Sequence, residues 1–341
     1  MSDTKQNILQ EDVKSILLQN CDFSLLKNKT VLITGATGLI GSVLTDMLCF
    51  LNEHYSLNLK LLLISRHKKE SANPCAKHIV HDINFPFNTN EKLDFIIHAA
   101  SNTHPVQYAS EPVQTITANI FGTYNLLELA AKNTDCRFVL ASSVEIYGDD
   151  RTGKPEGFSE SDCGYLDCNT VRAGYNESKR LCETLCQAYL AEKHVDFVTA
   201  RLSRAYGPTL KKDDSKVMSQ FLRNAAEKKD IVLKSEGLQY YSYIYSADAA
   251  SAIIYLMLNG ISGQAYNVAG KNSDIHLKDL AKLVADYAGT KVIFDLPSDI
   301  EKKGFSKAQQ AVLNTSKLEN LGWKSVYSIN DGCKRTIDFL S

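Results

Sequence analysis

The chain has 341 residues, 44% hydrophobic and 23% charged, with a formal net charge of −1. That balance suits a globular protein of one large or two modest domains. It excludes the strong basic field with which proteins engage nucleic acid or anionic membranes. No apolar run reaches about 18 residues and the start, Met-Ser-Asp-Thr-Lys-Gln, lacks a signal-peptide core, so neither a membrane span nor secretion is expected. Nine cysteines, an odd number without a Cys-x-x-Cys pair, suggest reduced thiols in a cytoplasm. Cys182 and Cys186, four apart on a predicted helix, read more readily as buried small hydrophobes than as metal ligands, and no metal is expected.

Residues 8–28 carry apolar side chains at helical period (Ile8, Leu9, Val13, Ile16, Leu17), which predicts an amphipathic N-terminal helix with no chemical residues. Next comes Val31-Leu-Ile-Thr-Gly-Ala-Thr-Gly-Leu-Ile-Gly41, then an apolar run over 42–51. This predicts a strand, a tight turn and a helix start, the setting a dinucleotide-binding glycine motif requires. Gly35 lets the chain reverse, Gly38 lets the backbone approach a pyrophosphate, and Gly41 lets helix and strand pack closely. Thr37 with the N–H groups of Leu39 and Ile40 then faces the anion.

A second strand, residues 59–65, ends in Arg66-His67-Lys68-Lys69. A carboxylate at that junction holds the ribose 2′-hydroxyl of NAD, whereas an arginine accommodates the 2′-phosphate of NADP. Arg66 and Lys69 therefore favour NADP(H), with NAD possible; a solvated turn is the plain alternative. A third strand over 78–83 places Asp82 and Ile83 beside an adenine ring. A fourth, 94–100, ends in Ala99 and Ala100, small enough for a cofactor to pass. A helix over 112–133 and a fifth strand over 137–142 follow, then a helix near 172–193 and a sixth strand over 195–201. Strands alternating with helices predict an α/β fold with a doubly wound parallel sheet. We divide the chain into a helical extension (1–29), a Rossmann dinucleotide-binding domain (30–204 plus about 239–268), and a smaller C-terminal substrate-binding domain (205–238 and 269–341).

Tyr175-Asn-Glu-Ser-Lys179 puts an ammonium and a phenol on one helix face. A cation there favours the phenolate, so Tyr175 can exchange a proton with a carbinol while Lys179 tunes it and holds the cofactor ribose. Ser143, at the end of the fifth strand, lies at the crevice where such folds bind ligands. It is the hydroxyl expected on the substrate oxygen.

These elements together resemble the extended short-chain dehydrogenase/reductases of the nucleotide-sugar epimerase/dehydratase family, over roughly residues 30–270. The segments His98–Tyr108, Asn119–Asn125, Leu140–Asp149 and Arg172–Tyr175 are similar to UDP-glucuronate decarboxylases. The resemblance implies a Ser143–Tyr175–Lys179 mechanism with Glu145 near the sugar. It adds Ser101 and Asn119 to the cofactor residues, and Thr103, Tyr108, Arg204, Lys216 and Tyr241 to the substrate residues. It also implies a homodimer through the helices at 112–133 and 176–193, and a role in polysaccharide precursor synthesis.

Three departures from the family pattern bear on activity. Val144-Glu145 stands where dehydratases carry Asp-Glu, which disfavours dehydration. Arg204 replaces the asparagine of Arg-x-x-Asn-x-(Tyr/Phe)-Gly-Pro, and Tyr241 replaces an arginine that grips the diphosphate. Arg204 can take over a phosphate contact, since a guanidinium suits phosphate geometry; a structural salt bridge is the alternative. Decarboxylases and epimerases of the group return the hydride to the same substrate and have no need of NADPH. Arg66 therefore favours an NADPH-dependent reductase acting on a keto group of a nucleotide-linked sugar or polyol. The alternative is an NAD-retaining nucleotide-sugar decarboxylase or C4 epimerase, which Glu145 suits better.

Overall fold

The computed structural model describes residues 3–66, 73–102, 110–149, 156–295 and 310–341. Helix α1 (Asp3–Lys14) begins the chain and gives way to short 3₁₀ turns at Ser15–Leu18 and Phe23–Leu26. The helix expected over 8–28 thus starts earlier and ends at Lys14. Further on, the Asp22 carboxylate accepts the Ser24 N–H at 3.0 Å, a local bond that competes with helix. Helix α1 is pinned to the body through buried Asp12, which pairs with Arg335 at 2.8 Å and accepts the Tyr245 hydroxyl at 2.7 Å.

Among the described residues there follow β1 (Thr30–Thr34), α2 (Leu39–Tyr55), β2 (Lys60–Ser65), β3 (Ala76–Val80), β4 (Phe95–His98), α3 (Pro112–Ala131), β5 (Arg137–Ser143), α4 (Ala173–Lys193) and β6 (Asp196–Leu202). Then come β7 (Arg204–Tyr206), α5 (Val217–Ala226), β8 (Ile231–Leu233), β9 (Tyr240–Tyr245), α6 (Ser246–Asn259) and β10 (Gln264–Val268). The chain closes with β11 (Asp274–His276), α7 (Leu277–Ala288), β12 (Val292–Phe294), β13 (Gln310–Ala311), α8 (Ser316–Leu321) and α9 (Ile329–Leu340).

Among the described residues, seven strands form a parallel sheet in the order β10-β6-β5-β4-β1-β2-β3. Its strands are apolar on both faces because both are covered. Leu32, Ile64, Ile96 and Phe138 pack with α3 and α4, while Val31, Ile33, Leu63 and Val139 pack with α2 and α6. Cys182 and Cys186 lie fully buried in the first of these layers, as small hydrophobes. The chain winds from β1 outward through β2 and β3, then reverses through β4, so the carboxyl ends of β1 and β4 flank the switch-point crevice.

Strands β7, β9, β11 and β13 make a second sheet and β8 pairs with β12, while α6 and β10 return to the first. The tyrosines of Gln239–Tyr245 divide accordingly. Tyr243 and Tyr245 pack edge-on to Tyr206 in the interior, with centroids 6.4 and 5.8 Å away, whereas Tyr241 lies elsewhere and is described below. Among the described residues no helix is long and apolar enough to cross a membrane.

Candidate active site

The glycine turn sits between the buried end of β1 and the start of α2. Gly35 has φ +73°, and a Cβ there would lie 2.7 Å from the Ala99 carbonyl oxygen and the Ala100 nitrogen. A Cβ on Gly41 would lie 2.1 Å from the Gly35 carbonyl oxygen, so the helix can approach the turn only with hydrogen at that position. Gly38 caps α2 without a side-chain hydrogen bond, and the first-turn N–H groups of Leu39 and Ile40 are left for an anion. Thr37 lies within this turn. A turn with glycine at its closest approaches, facing an uncapped helix end, fits the pyrophosphate of a dinucleotide. Such a cofactor, when bound, supplies the hydride acceptor and donor.

Strand β4 is tied to this turn through Thr34. Its hydroxyl accepts the Ala100 N–H at 3.3 Å and is hydrogen-bonded to Nδ1 of His98, 2.8 Å away. His98 is buried, and burial, with the Lys179 charge second, lowers its pKa to about 3. The imidazole is therefore neutral, and the sign of its pH effect follows. Between about pH 3 and the ordinary histidine pKa near 6.5, the unfolded chain binds this proton and the folded protein does not. Stability from this group is complete above that range and is lost on acidification, by about 2 kcal/mol between pH 7 and pH 5. Buried Asp248 acts in the opposite direction, because burial raises its pKa to about 6 despite hydrogen bonds from Ser325, Val326 and Tyr327. The contribution of His98 is thus read as a difference: urea unfolding of wild type and His98→Gln at pH 7 and 5 should show a shallower acid loss in the variant. Equal losses would mean that His98 titrates normally.

The other expected cofactor residues occupy varied positions. Ser101 donates to Asn119 at 2.7 Å, and Asn119 donates in turn to Ser178 on α4 at 2.9 Å, which links the exit of β4 to the helix that carries Tyr175. Asp82 is engaged by its own turn, accepting from the Asn84 backbone and side chain at 3.0 and 2.9 Å. The Ile83 carbonyl accepts from Asn125 at 2.9 Å. Arg66 is exposed at the end of β2. Lys69, Thr103 and Tyr108 lie outside the described residues.

Tyr175 and Lys179 share the buried face of α4. Lys179 Nζ donates to the Ala141 carbonyl at 2.9 Å, which anchors α4 to β5 two residues before Ser143. Burial lowers the Lys179 pKa below the ordinary lysine value. A cation whose charge is poorly hydrated acts strongly on a neighbouring phenol. Ser143 caps the short 3₁₀ turn Val144–Tyr147, its Oγ accepting the Glu145 N–H at 3.2 Å.

Glu145 stands at the centre of a cluster that sequence reading did not assemble. Arg172 Nη2 and Asn176 Nδ2 each lie 3.3 Å from Oε2, and Arg204 Nη2 lies 3.3 Å from Oε1. The Asn176 amide also donates to the Glu145 carbonyl at 2.7 Å. Arg204, on β7, stacks over Tyr241 on the adjacent β9, its guanidinium carbon 3.6 Å from the ring centroid. The salt bridge weighed for Arg204 is present, and its partner is the expected sugar-side carboxylate. Lys216, at the cap of α5, is 3.9 Å from Asp214, and burial lowers its pKa.

Beneath the site lies a second unforeseen network. Arg201 grips Glu183 at 2.7 Å, Ser142 donates to Glu183 at 2.5 Å, and Tyr147 receives Arg201 at 2.9 Å and donates to Asn267 at 2.6 Å. Glu183, one helical turn beyond Lys179, carried the only available signal, its i,i+4 spacing.

A glycine turn at the switch point of a parallel sheet, with a buried tyrosine–lysine pair and a strand-end serine, defines an extended short-chain dehydrogenase/reductase enzyme. The NAD dependent epimerase/dehydratase family matches residues 31–269, and the chain belongs to that family. It is 30% identical to UDP-glucuronic acid decarboxylase 3 of Arabidopsis thaliana over 342 aligned positions, covering 96% of this chain and 93% of the relative. It is 29% identical to UDP-glucuronic acid decarboxylase 1 of Xenopus tropicalis, covering 91% and 72%. The fold matches UDP-glucuronic acid 4-epimerase of Bacillus cereus, solved with UDP-glucuronic acid and NAD, at a TM-score of 0.75 and 22% identity, covering 91% and 98%. UDP-glucose 4-epimerase of Thermotoga maritima matches at 0.76 and 18%, again covering 91% and 98%.

Proposed function

We propose that this protein acts on a nucleotide-linked hexuronic acid by oxidising and re-reducing one ring carbon, releasing carbon dioxide in between, with its dinucleotide retained as NAD. The observation that carries the reading is Glu145, held beside Ser143 and next in space to the Tyr175 turn through Asn176. A simple carbonyl reductase has no use for a carboxylate there. Likeness to the decarboxylases at about 30% identity over nearly the whole chain supports it further.

In this mechanism Ser143 hydrogen-bonds the reacting sugar oxygen, and Tyr175 takes its proton and later returns it. Lys179, fixed by Ala141, favours the phenolate and holds the cofactor ribose. The oxidised ring carries a keto group β to the carboxylate, so the carbon–carbon bond to that carboxylate breaks, its electron pair passing into the enolate, whose carbon then takes a proton from solvent water before the keto group is reduced again. Gly35, Gly38, Gly41, Thr37, Leu39, Ile40, Ala99, Ala100, Ser101 and Asn119 form the cofactor wall, and Arg204, Lys216 and Tyr241 the substrate wall. Exposed Phe121, Tyr124 and Leu181 on α3 and α4 are the face we assign to a second copy.

Arg66 favours a second reading, an NADPH-consuming reductase of a nucleotide-linked keto sugar. Purified protein incubated with UDP-glucuronic acid and no added dinucleotide separates the two. Release of carbon dioxide with formation of a UDP-pentose, and NAD recovered on denaturation, is the expected result. Strict dependence on stoichiometric NADPH would instead establish the reductase.

A further inference from the structure

In the described structure, two guanidinium groups, Arg172 and Arg204, both reach the Glu145 carboxylate. Arg204 is half-committed. Its face rests on Tyr241, its Nη2 reaches Glu145 at 3.3 Å, and its Nη1 is buried without a hydrogen-bond partner. A buried guanidinium nitrogen left unpaired is costly, and the fork of an arginine is built to meet two oxygens of one anion. Stacking uses the face of the plane and leaves its edge available for such bonds. Glu145, in contrast, is secured twice on its other oxygen, by Arg172 and Asn176, and through its backbone carbonyl as well. Loss of Arg204 would leave Glu145 in place beside Ser143.

We propose that Glu145 is an internal stand-in for the ligand's anion. The diphosphate of the substrate takes the Arg204 fork, Glu145 Oε1 is released, and the carboxylate stays oriented beside Ser143 by Arg172 and Asn176. Arg204 seated on Tyr241 is thus the specificity-determining anion receptor of this chain, and anion binding is what frees Glu145. This rests on the nucleotide-sugar reading and adds an exchange step to it.

An exchange makes Glu145 a competitor of the ligand, which yields an expectation that a simple structural salt bridge does not share. Titrating the full-length protein with UDP by calorimetry, Arg204→Asn should weaken binding by about tenfold or more, as expected for losing charge-assisted hydrogen bonds. Glu145→Gln, of the same shape without the charge, should tighten UDP binding by about threefold or more. In the double variant, Glu145→Gln should have no further effect. Arg204→Lys keeps the charge without the fork and should fall between wild type and Arg204→Asn. Inorganic pyrophosphate, displacing UDP, should follow the same order, since the anion and not the base is being read. Thermal unfolding and dinucleotide binding confirm that each variant is folded.

Glu145→Gln binding UDP no better than wild type would overturn the exchange, and so would Arg204→Asn binding it equally well. Wild type that binds none of UDP, dTDP or GDP would overturn the nucleotide-sugar reading itself and the exchange with it. The two failures are therefore distinguishable.

Discussion

Replacing Tyr175 with phenylalanine should lower kcat by about 10²–10⁴-fold, the usual contribution of a positioned proton donor. The substitution removes one oxygen from a buried ring on α4 and leaves the packing of that ring intact. The expected result is therefore a folded protein that still binds dinucleotide and UDP, with the loss confined to turnover. In this scheme Tyr175 alone carries the proton: Lys179 is anchored on the Ala141 carbonyl and tunes the phenol, and Ser143 orients the substrate oxygen. Steady-state turnover measured beside the melting temperature and UDP affinity checks it. A variant retaining turnover within a few-fold would remove Tyr175 from the chemistry and move the proton to another group.

Substituting Gly41 with alanine should abolish useful dinucleotide binding through a steric route. Its Cβ would meet the Gly35 carbonyl oxygen at 2.1 Å and the Gly35 carbonyl carbon at 2.8 Å, both backbone atoms that cannot rotate away. Helix α2 must then withdraw from the turn, carrying with it the N–H groups of Leu39 and Ile40. Forced overpacking of this kind costs about 1–3 kcal/mol or more, roughly fivefold to 150-fold or more in affinity if expressed at the site. Gly289 provides the control, because its φ of +68° penalises alanine while its surroundings are open. Gly289→Ala should cost about 1–2 kcal/mol of stability and leave dinucleotide affinity unchanged. Cofactor content after purification and the urea midpoint distinguish the two effects. Equal cofactor content in Gly41→Ala and wild type would show that the turn tolerates a side chain and is not the pyrophosphate cradle.

Much of the fold was legible because its determinants are local. The glycine turn announces itself through residues that must lack side chains, and β1, β2, β5 and β6 through short apolar runs bounded by polar turns. Helix α7 (Leu277–Ala288) likewise buries one local apolar stripe, Leu277, Leu280, Ala281, Val284, Ala285 and Ala288. The N-terminal helix was misjudged because helical periodicity persists through 15–26 although the chain turns there. The neutral state of His98 was invisible, since burial is a property of the assembled sheet and not of the residues flanking it.

The sequence by itself determined the architecture, the glycine cradle, and the Ser143, Tyr175 and Lys179 positions, because strand and helix periodicity and the demand for glycine act within a few residues. Tertiary structure alone decided the electrostatics. Glu145 meets Arg172 and Arg204 across 27 and 59 residues of chain, and Arg204 meets Tyr241 only because β7 and β9 are neighbours in a sheet. Charge pairing depends on distance and desolvation, and both are set by how the strands are ordered in space.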